Sequence, residues 1–135
     1  MELSFFISGI PAPQGSKRHV GNGRMIEASK KVGPWRQAVA EQTKDLVFEK
    51  FLVPVSVTVT FFLTKPSSVK RLLPSVPPDL DKLERGLFDA LTIAGVWEDD
   101  ALVVECHSAK LYAGERGSGA LVSVKAFEDV KNTLI

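Results

Sequence analysis

The stretch Pro77–Leu102, P-P-D-L-D-K-L-E-R-G-L-F-D-A-L-T-I-A-G-V-W-E-D-D-A-L, decides how this chain is read. From Leu80 onward, Leu80, Leu83, Leu87, Leu91 and Ala94 recur at helical spacing, and Gly95 supplies a stop. One face of the predicted helix is therefore buried. The opposite face carries Asp81, Arg85 and Asp89, each four residues from the next and neighbours along one stripe. Val76 and Pro77 each precede a proline, which biases both toward extended backbone, so the helix begins no earlier than Pro78. Inside a regular helix, residues two apart point about 200° from one another and cannot share an ion. With Asp79 in the extended lead-in and Asp81 in the first turn, the two carboxylates can converge. The other reading makes Asp79 or Asp81 a helix cap, held by the positive end of the macrodipole.

After the helix, Glu98-Asp99-Asp100 forms an acidic turn, and such a run is commonly just solvated. Ala101–Tyr112 reads as a strand and Ala120–Phe127 as another, joined by the glycine-rich A-G-E-R-G-S-G of a hairpin loop. A helix of about 14 residues is roughly 20 Å long, so Asp100 starts far from Asp81. Spacing alone does not close a site.

Toward the N-terminus, Val53–Leu63 alternates with period two and is rich in β-branched residues, the clearest strand in the chain. Pro54 points to an edge position or to the strand's first residues. Thr64–Pro78 is a long basic loop leading into the acidic stretch. Gly33-Pro34 starts an earlier helix, predicted to run to about Lys50 with Trp35, Ala38, Val39 and Leu46 on its packed side. Leu3–Ile10 reads as the first strand. Pro11–Gly15 is a loop, and the segment to Ser29 is an irregular or hairpin-like excursion. The predicted fold class is α+β, one domain covering residues 1–135. It has a mixed sheet of about four strands with two main helices, in the order strand-helix-strand-helix-strand-strand.

Charge narrows the function. The net charge is only +1, yet Asp79–Glu105 holds eight of the sixteen acids, beside Lys82 and Arg85. Gln14–Arg36 carries six bases against Glu27, and Thr64–Pro78 carries Lys65, Lys70 and Arg71 with no acid. Basic segments flanking an acidic focus suit a polyanion held at the rim and a cation at the centre. No apolar run reaches the ~20 residues of a membrane span, and the N-terminus lacks a signal peptide's positive charge. The expectation is a cytoplasmic protein, with no membrane partner. The lone Cys106 reads as a structural thiol.

Hard oxygen donors without His or Cys point to Mg²⁺, with Mn²⁺ able to substitute, rather than to zinc. Carboxylates that bind such an ion beside phosphate-contacting bases are equipment for phosphodiester hydrolysis. The spacing is not that of an EF-hand loop. A sugar-nucleotide site on D-L-D would need a second lobe that this length does not accommodate, and no nucleotide cofactor is expected.

At these residues the chain resembles the RusA family of Holliday junction resolvases, common in bacteriophages and prophages. The resemblance rests on P-D-L-D-K-L-E-R-G-L-F-D-A-L-T-I-A-G-V-W-E-D-D-A-L-V-V, Pro78–Val104, on Lys110, and more weakly on G-I-P-A-P-Q-G-S-K-R at Gly9–Arg18. It implies a Mg²⁺-dependent endonuclease acting as a homodimer on four-way DNA junctions, in recombination and repair, from the host cytoplasm where phage-encoded. Matching the motif puts the metal-binding aspartates on Asp79, Asp81 and Asp100, with Asp99 in support. A lysine of the family falls on Arg85, which keeps the charge but cannot readily donate a proton. Its role is electrostatic, or else an i,i+4 ion pair with Asp81 or Asp89. Lys17, Arg18, Lys70, Arg71 and Lys110 are the candidate DNA-backbone contacts. The alternative is a junction-binding protein of the same fold without cleavage.

Overall fold

Val55–Leu63 forms strand β4, and the sheet is built around it. In this computed structural model, which describes residues 1–14, 17–19, 25–27, 30–47 and 49–127, the main sheet has the order β1-β6-β4-β5. Strand β1 is Glu2–Ser8, β5 is Val103–Tyr112 and β6 is Gly119–Ala126. Strand β4 runs antiparallel to β6 and parallel to β5, so the sheet is mixed; β5 and β6 lie on either side of β4, and the glycine-rich loop between them crosses β4 instead of closing the expected hairpin. Pro54 therefore precedes a central strand rather than marking an edge; its carbonyl accepts from the Phe127 amide at 2.8 Å. A separate antiparallel pair, β2 (Lys17–His19) and β3 (Met25–Glu27), is the hairpin-like excursion.

Two helices cover one face of the sheet, α1 (Val32–Thr43) and α2 (Leu80–Ile93). The alternation of β4 sends Val55, Val57, Val59 and Phe61 under them, joined there by Phe5, Ile7, Val122 and Val124. Helix α2 contributes Leu83, Leu87 and Leu91, all fully buried. Each such side chain stabilises the fold by roughly 1.5–3 kcal/mol through the water it leaves. Helix α1 ends at Thr43, about two turns before the expected Lys50. Thr43 turns its hydroxyl back onto the Val39 carbonyl at 2.7 Å, and the amides of Leu46 and Val47 both bond the Thr43 carbonyl in a closing turn. Leu46 consequently lies outside the core, 41% exposed.

The connection β4–α2–β5 sets helix and strand antiparallel, and this arrangement positions the acidic stretch. Helix α2 starts at Leu80, as its proline lead-in dictates, and ends where Gly95 takes φ +83°. Beyond it the chain is pinned by Trp97. The Trp97 indole donates to the Thr92 hydroxyl at 2.7 Å, Thr92 donates to the Phe88 carbonyl, and Phe88 packs edge-on against the indole. The backbone of Phe51 brackets the same turn, bonding Val96 and Glu98. The spaced residues T-I-A-G-V-W therefore form a clasp that aims Glu98-Asp99-Asp100. A 3-10 turn, Asp100–Leu102, intervenes before β5, so the strand begins two residues later than the sequence pattern indicates.

Candidate active site

Asp79 occupies the N-cap position of α2 with extended backbone (φ −70°, ψ 142°), and Asp81 sits in the first turn. This is the split arrangement expected from the diproline, whose peptide is cis. The backbone carbonyl of Asp79 accepts the amides of Lys82 and Leu83, but its side chain makes no capping hydrogen bond. The carboxylate is instead exposed, 3.6 Å from the Lys82 ammonium. An exposed pair of this kind contributes little to stability. The capping explanation for Asp79 therefore fails, and two acidic side chains stand available at the start of the helix.

The lead-in is held by Lys110. Its ammonium donates to the carbonyls of Val76 and Pro78 at 2.8 and 2.9 Å, tying the segment before Asp79 to the far end of β5. Hydrogen bonds from a charged donor are worth about 1.5–3 kcal/mol each, so Lys110 holds the backbone that leads into Asp79. Midway along α2, Glu84 Oε2 accepts from Ser108 Oγ at 2.7 Å and Cys106 Sγ at 3.2 Å. Burial and the neighbouring Glu84 carboxylate push the Cys106 thiol up to about 12, which makes it an inert group that packs helix to strand.

Asp100 lies at the opposite end. Its carboxyl is held above the ordinary carboxylate value, first by partial burial, then by a hydrogen bond with Asp99 and by the negative charges of Asp99 and Asp89. Asp99 also accepts from the Ala101 amide at 3.0 Å, capping the 3-10 turn. Asp89 is answered by Arg36 of α1 at 3.8 Å, and Arg36 in turn donates to Gln14. Asp81 and Asp89 are eight residues apart on one helix, roughly 12 Å along its axis. Within a single chain, Asp100 is thus grouped with Asp89 and Asp99, not with Asp79 and Asp81. Among the described residues, no three Asp, Glu, His or Cys side chains stand together in a way that could hold a metal ion. The Asp79–Asp81 pair alone matches what Mg²⁺ takes from a protein, one or two carboxylates with water and substrate phosphate supplying the rest.

Arg85 is exposed on the stripe between Asp81 and Asp89, and forms no ion pair among the described residues. In the basic loop Lys70 is exposed, and Arg71 donates to the Tyr112 hydroxyl at 2.8 Å. The side chains of Lys17 and Arg18 lie outside the described residues. Sequence reading missed Tyr112, the Glu84–Ser108–Cys106 cluster and the Arg36–Asp89 contact. Only the first left a trace, as the chain's single tyrosine at the end of a strand.

The two sequence motifs meet in space. The Gln14 amide donates to the Lys82 carbonyl at 2.9 Å, and a Cβ on Gly86 would stand 2.5 Å from the Ala12 carbonyl oxygen. The glycine of the acidic helix is the point where the Ala12–Gln14 segment crosses it.

Comparison with known proteins converges on these same segments. The family Endodeoxyribonuclease RusA matches residues 8–125. The crossover junction endodeoxyribonuclease RusA of Aquifex aeolicus (strain VF5) is 25% identical over 129 residues, covering 94% of each chain. The proteins of that name from Escherichia coli strains K12 and O139:H28 are 31% identical over 104 residues, 76% of this chain and 79% of theirs. No described helix is long and apolar enough to cross a membrane. With the match running from β1 to β6 through both contacting motifs, the chain belongs to the RusA family of endodeoxyribonucleases.

Proposed function

We propose that this protein cleaves the phosphodiester backbone of four-way DNA junctions, as a homodimer, with Mg²⁺ held by Asp79, Asp81 and Asp100. The observation that carries the reading is the Asp79 carboxylate, which sits at a helix N-cap yet is withheld from the helix amides, on a chain segment whose preceding carbonyls are tied to Lys110. An endodeoxyribonuclease family suggests a divalent metal; when bound, the ion would supply an acidified water and neutralise charge developing on the phosphate. Asp79 and Asp81 would hold it from one side. Arg85, one turn on from Asp81, would bind a phosphate oxygen by charge. Lys70 and Arg71, with Lys17 and Arg18 of the N-terminal excursion, would take the DNA backbone, which gives affinity without reading sequence.

The position of Asp100 argues for two copies. The sheet has two edges, and one of them, β1, is closed at its end by Gln42, which both accepts from the Ser8 amide (2.8 Å) and donates to the Ser8 carbonyl (2.7 Å). The other edge is β5, ten residues long. A sheet edge carries unpaired N–H and C=O groups and readily takes a second strand. Pairing β5 with its copy about a two-fold axis reverses one α2 relative to the other. The N-terminal end of each helix then lies toward the C-terminal end of its mate, so that Asp79 and Asp81 of one copy approach Asp100 of the second. A two-fold dimer also offers two sites to the two equivalent strands of a junction.

A synthetic four-way junction, incubated with and without Mg²⁺, tests the reading. Paired incisions that need the ion support it, whereas binding without cleavage assigns a junction-binding role instead.

A further inference from the structure

Immediately before the acidic pair, the proline lead-in forms one wall of a cleft of about 700 Å³, and apart from Arg71 on its lining the proposed chemistry does not use it. Its walls are apolar, made by Ile10, Pro13, Leu63, Pro74 and Pro77 among others, with the ring of Tyr112 across one side. Lys31 and Arg71 also line it, and none of its described lining residues is acidic. Tyr112 is fixed by Arg71 on its hydroxyl, and the Lys65 ammonium lies over one face of its ring, 5.6 Å from the centroid. An aromatic ring and proline rings within an apolar hollow, rimmed by cations, match one ligand chemistry closely. That chemistry is a flat heteroaromatic base joined to phosphates. The volume falls within the range of clefts that enclose small organic ligands, about 300–1,000 Å³.

We propose that this cleft receives a single unstacked nucleotide of a DNA strand, with its base against Tyr112 and the prolines and its flanking phosphates on Arg71 and Lys65. Pro77 and Pro78 line the cleft and lead directly into Asp79, so a base lodged there places the next phosphate at the acidic pair. Taking a base out of a duplex costs stacking energy, and the cost is least where stacking is already interrupted, as at the centre of a branched junction. The cleft would thus convert junction geometry into a position of cutting. Its place in the reaction rests on the junction-cleavage reading; its capacity to hold a base does not.

The test uses photocrosslinking of 5-iodouracil, placed singly along a four-way junction and within a short single-stranded oligonucleotide, to the Asp81→Asn variant, which keeps the DNA intact. The expected result is crosslinking to Tyr112 from the single strand and from one or two positions of the junction. Tyr112→Ala should weaken single-strand binding by about 5- to 150-fold, the range for one stacked base, while Tyr112→Phe retains it. Val76 lines the cleft and is 39% exposed, so Val76→Phe fills the space without disturbing the core and should abolish the crosslink even if Tyr112→Ala fails to fold. Crosslinks that avoid Tyr112, or that survive Val76→Phe, overturn the proposal. A junction cut by the unsubstituted protein, with no Tyr112 crosslink in Asp81→Asn, removes the cleft and leaves the nuclease. A single strand crosslinked at Tyr112 with no junction binding does the reverse.

Discussion

Asp79 sits where a helix ordinarily uses a carboxylate to satisfy its own amides, and here the side chain is turned to solvent beside a second acid. Lys82 pairs with Asp79 at 3.6 Å, and at the other end of the helix the negative charges of Asp99 and Asp89 bear on Asp100. Perturbed carboxyls such as that of Asp100 gather at functional sites. Asp81→Asn should remove metal-dependent cleavage by on the order of 10³-fold, corresponding to several kcal/mol of transition-state charge stabilisation, while junction binding persists. Cleavage and gel-shift assays on one junction check both halves. Asp100 allows a second prediction. Because its carboxyl is raised above 3.8 in the fold, it favours the folded state when protonated. That contribution is full below 3.8 and is lost as pH climbs through the higher folded value. At neutral pH the ionised Asp100 therefore opposes folding. Asp100→Asn should raise the melting temperature at neutral pH by roughly 1–3 °C, a small gain because the group is largely solvated, and the gain should fade on acidification. Thermal melts at both pH values decide it; a loss of stability at neutral pH would contradict the charge account.

At the scale of elements, the architecture of α2 was legible and its surroundings were not. The leucine spacing, the diproline before Asp79 and Gly95 after the last turn located both ends of the helix, and all three are local signals. Helix α1 ran short because its end is set by the Thr43 back-bond and by the chain's return to Phe51, neither of which leaves a periodic signature. Likewise, the 3-10 turn at Asp100–Leu102 is imposed by the Trp97 clasp, a contact across sequence. The role of Gly86 was invisible for the same reason. Gly86→Ala pushes a methyl into the Ala12 carbonyl, and should destabilise the protein by about 1–3 kcal/mol, as overpacking against close backbone does. Denaturant melts provide the measurement. In the Thr64–Pro78 loop, Lys70→Ala with Arg71→Ala should weaken junction binding and reduce the slope of log K against log salt by ~0.9 for each phosphate no longer neutralised. An unchanged slope would take that loop out of the interface.

The whole molecule is a mixed sheet with helices on one face, β1 closed by Gln42 at one edge and β5 at the other. The mixed sheet, the two helices and their order could be read in advance, and so could the placing of Asp79 and Asp81 at the start of α2. How Asp100 would join them could not, because motif spacing carries no information on which copy supplies which residue. Helix α2 keeps the two acidic groups apart in one chain; in the proposed dimer a reversed second copy would join them. Mixed dimers test this most directly. Asp81→Asn and Asp100→Asn, each inactive alone, are combined so that subunits exchange, and cleavage of a four-way junction is measured with Mg²⁺. The mixture should regain nicking, because each mixed dimer contains one site with Asp79 and Asp81 from one copy and Asp100 from the other, all intact. A mixture as inactive as its two components, with exchange verified, would contradict the shared site.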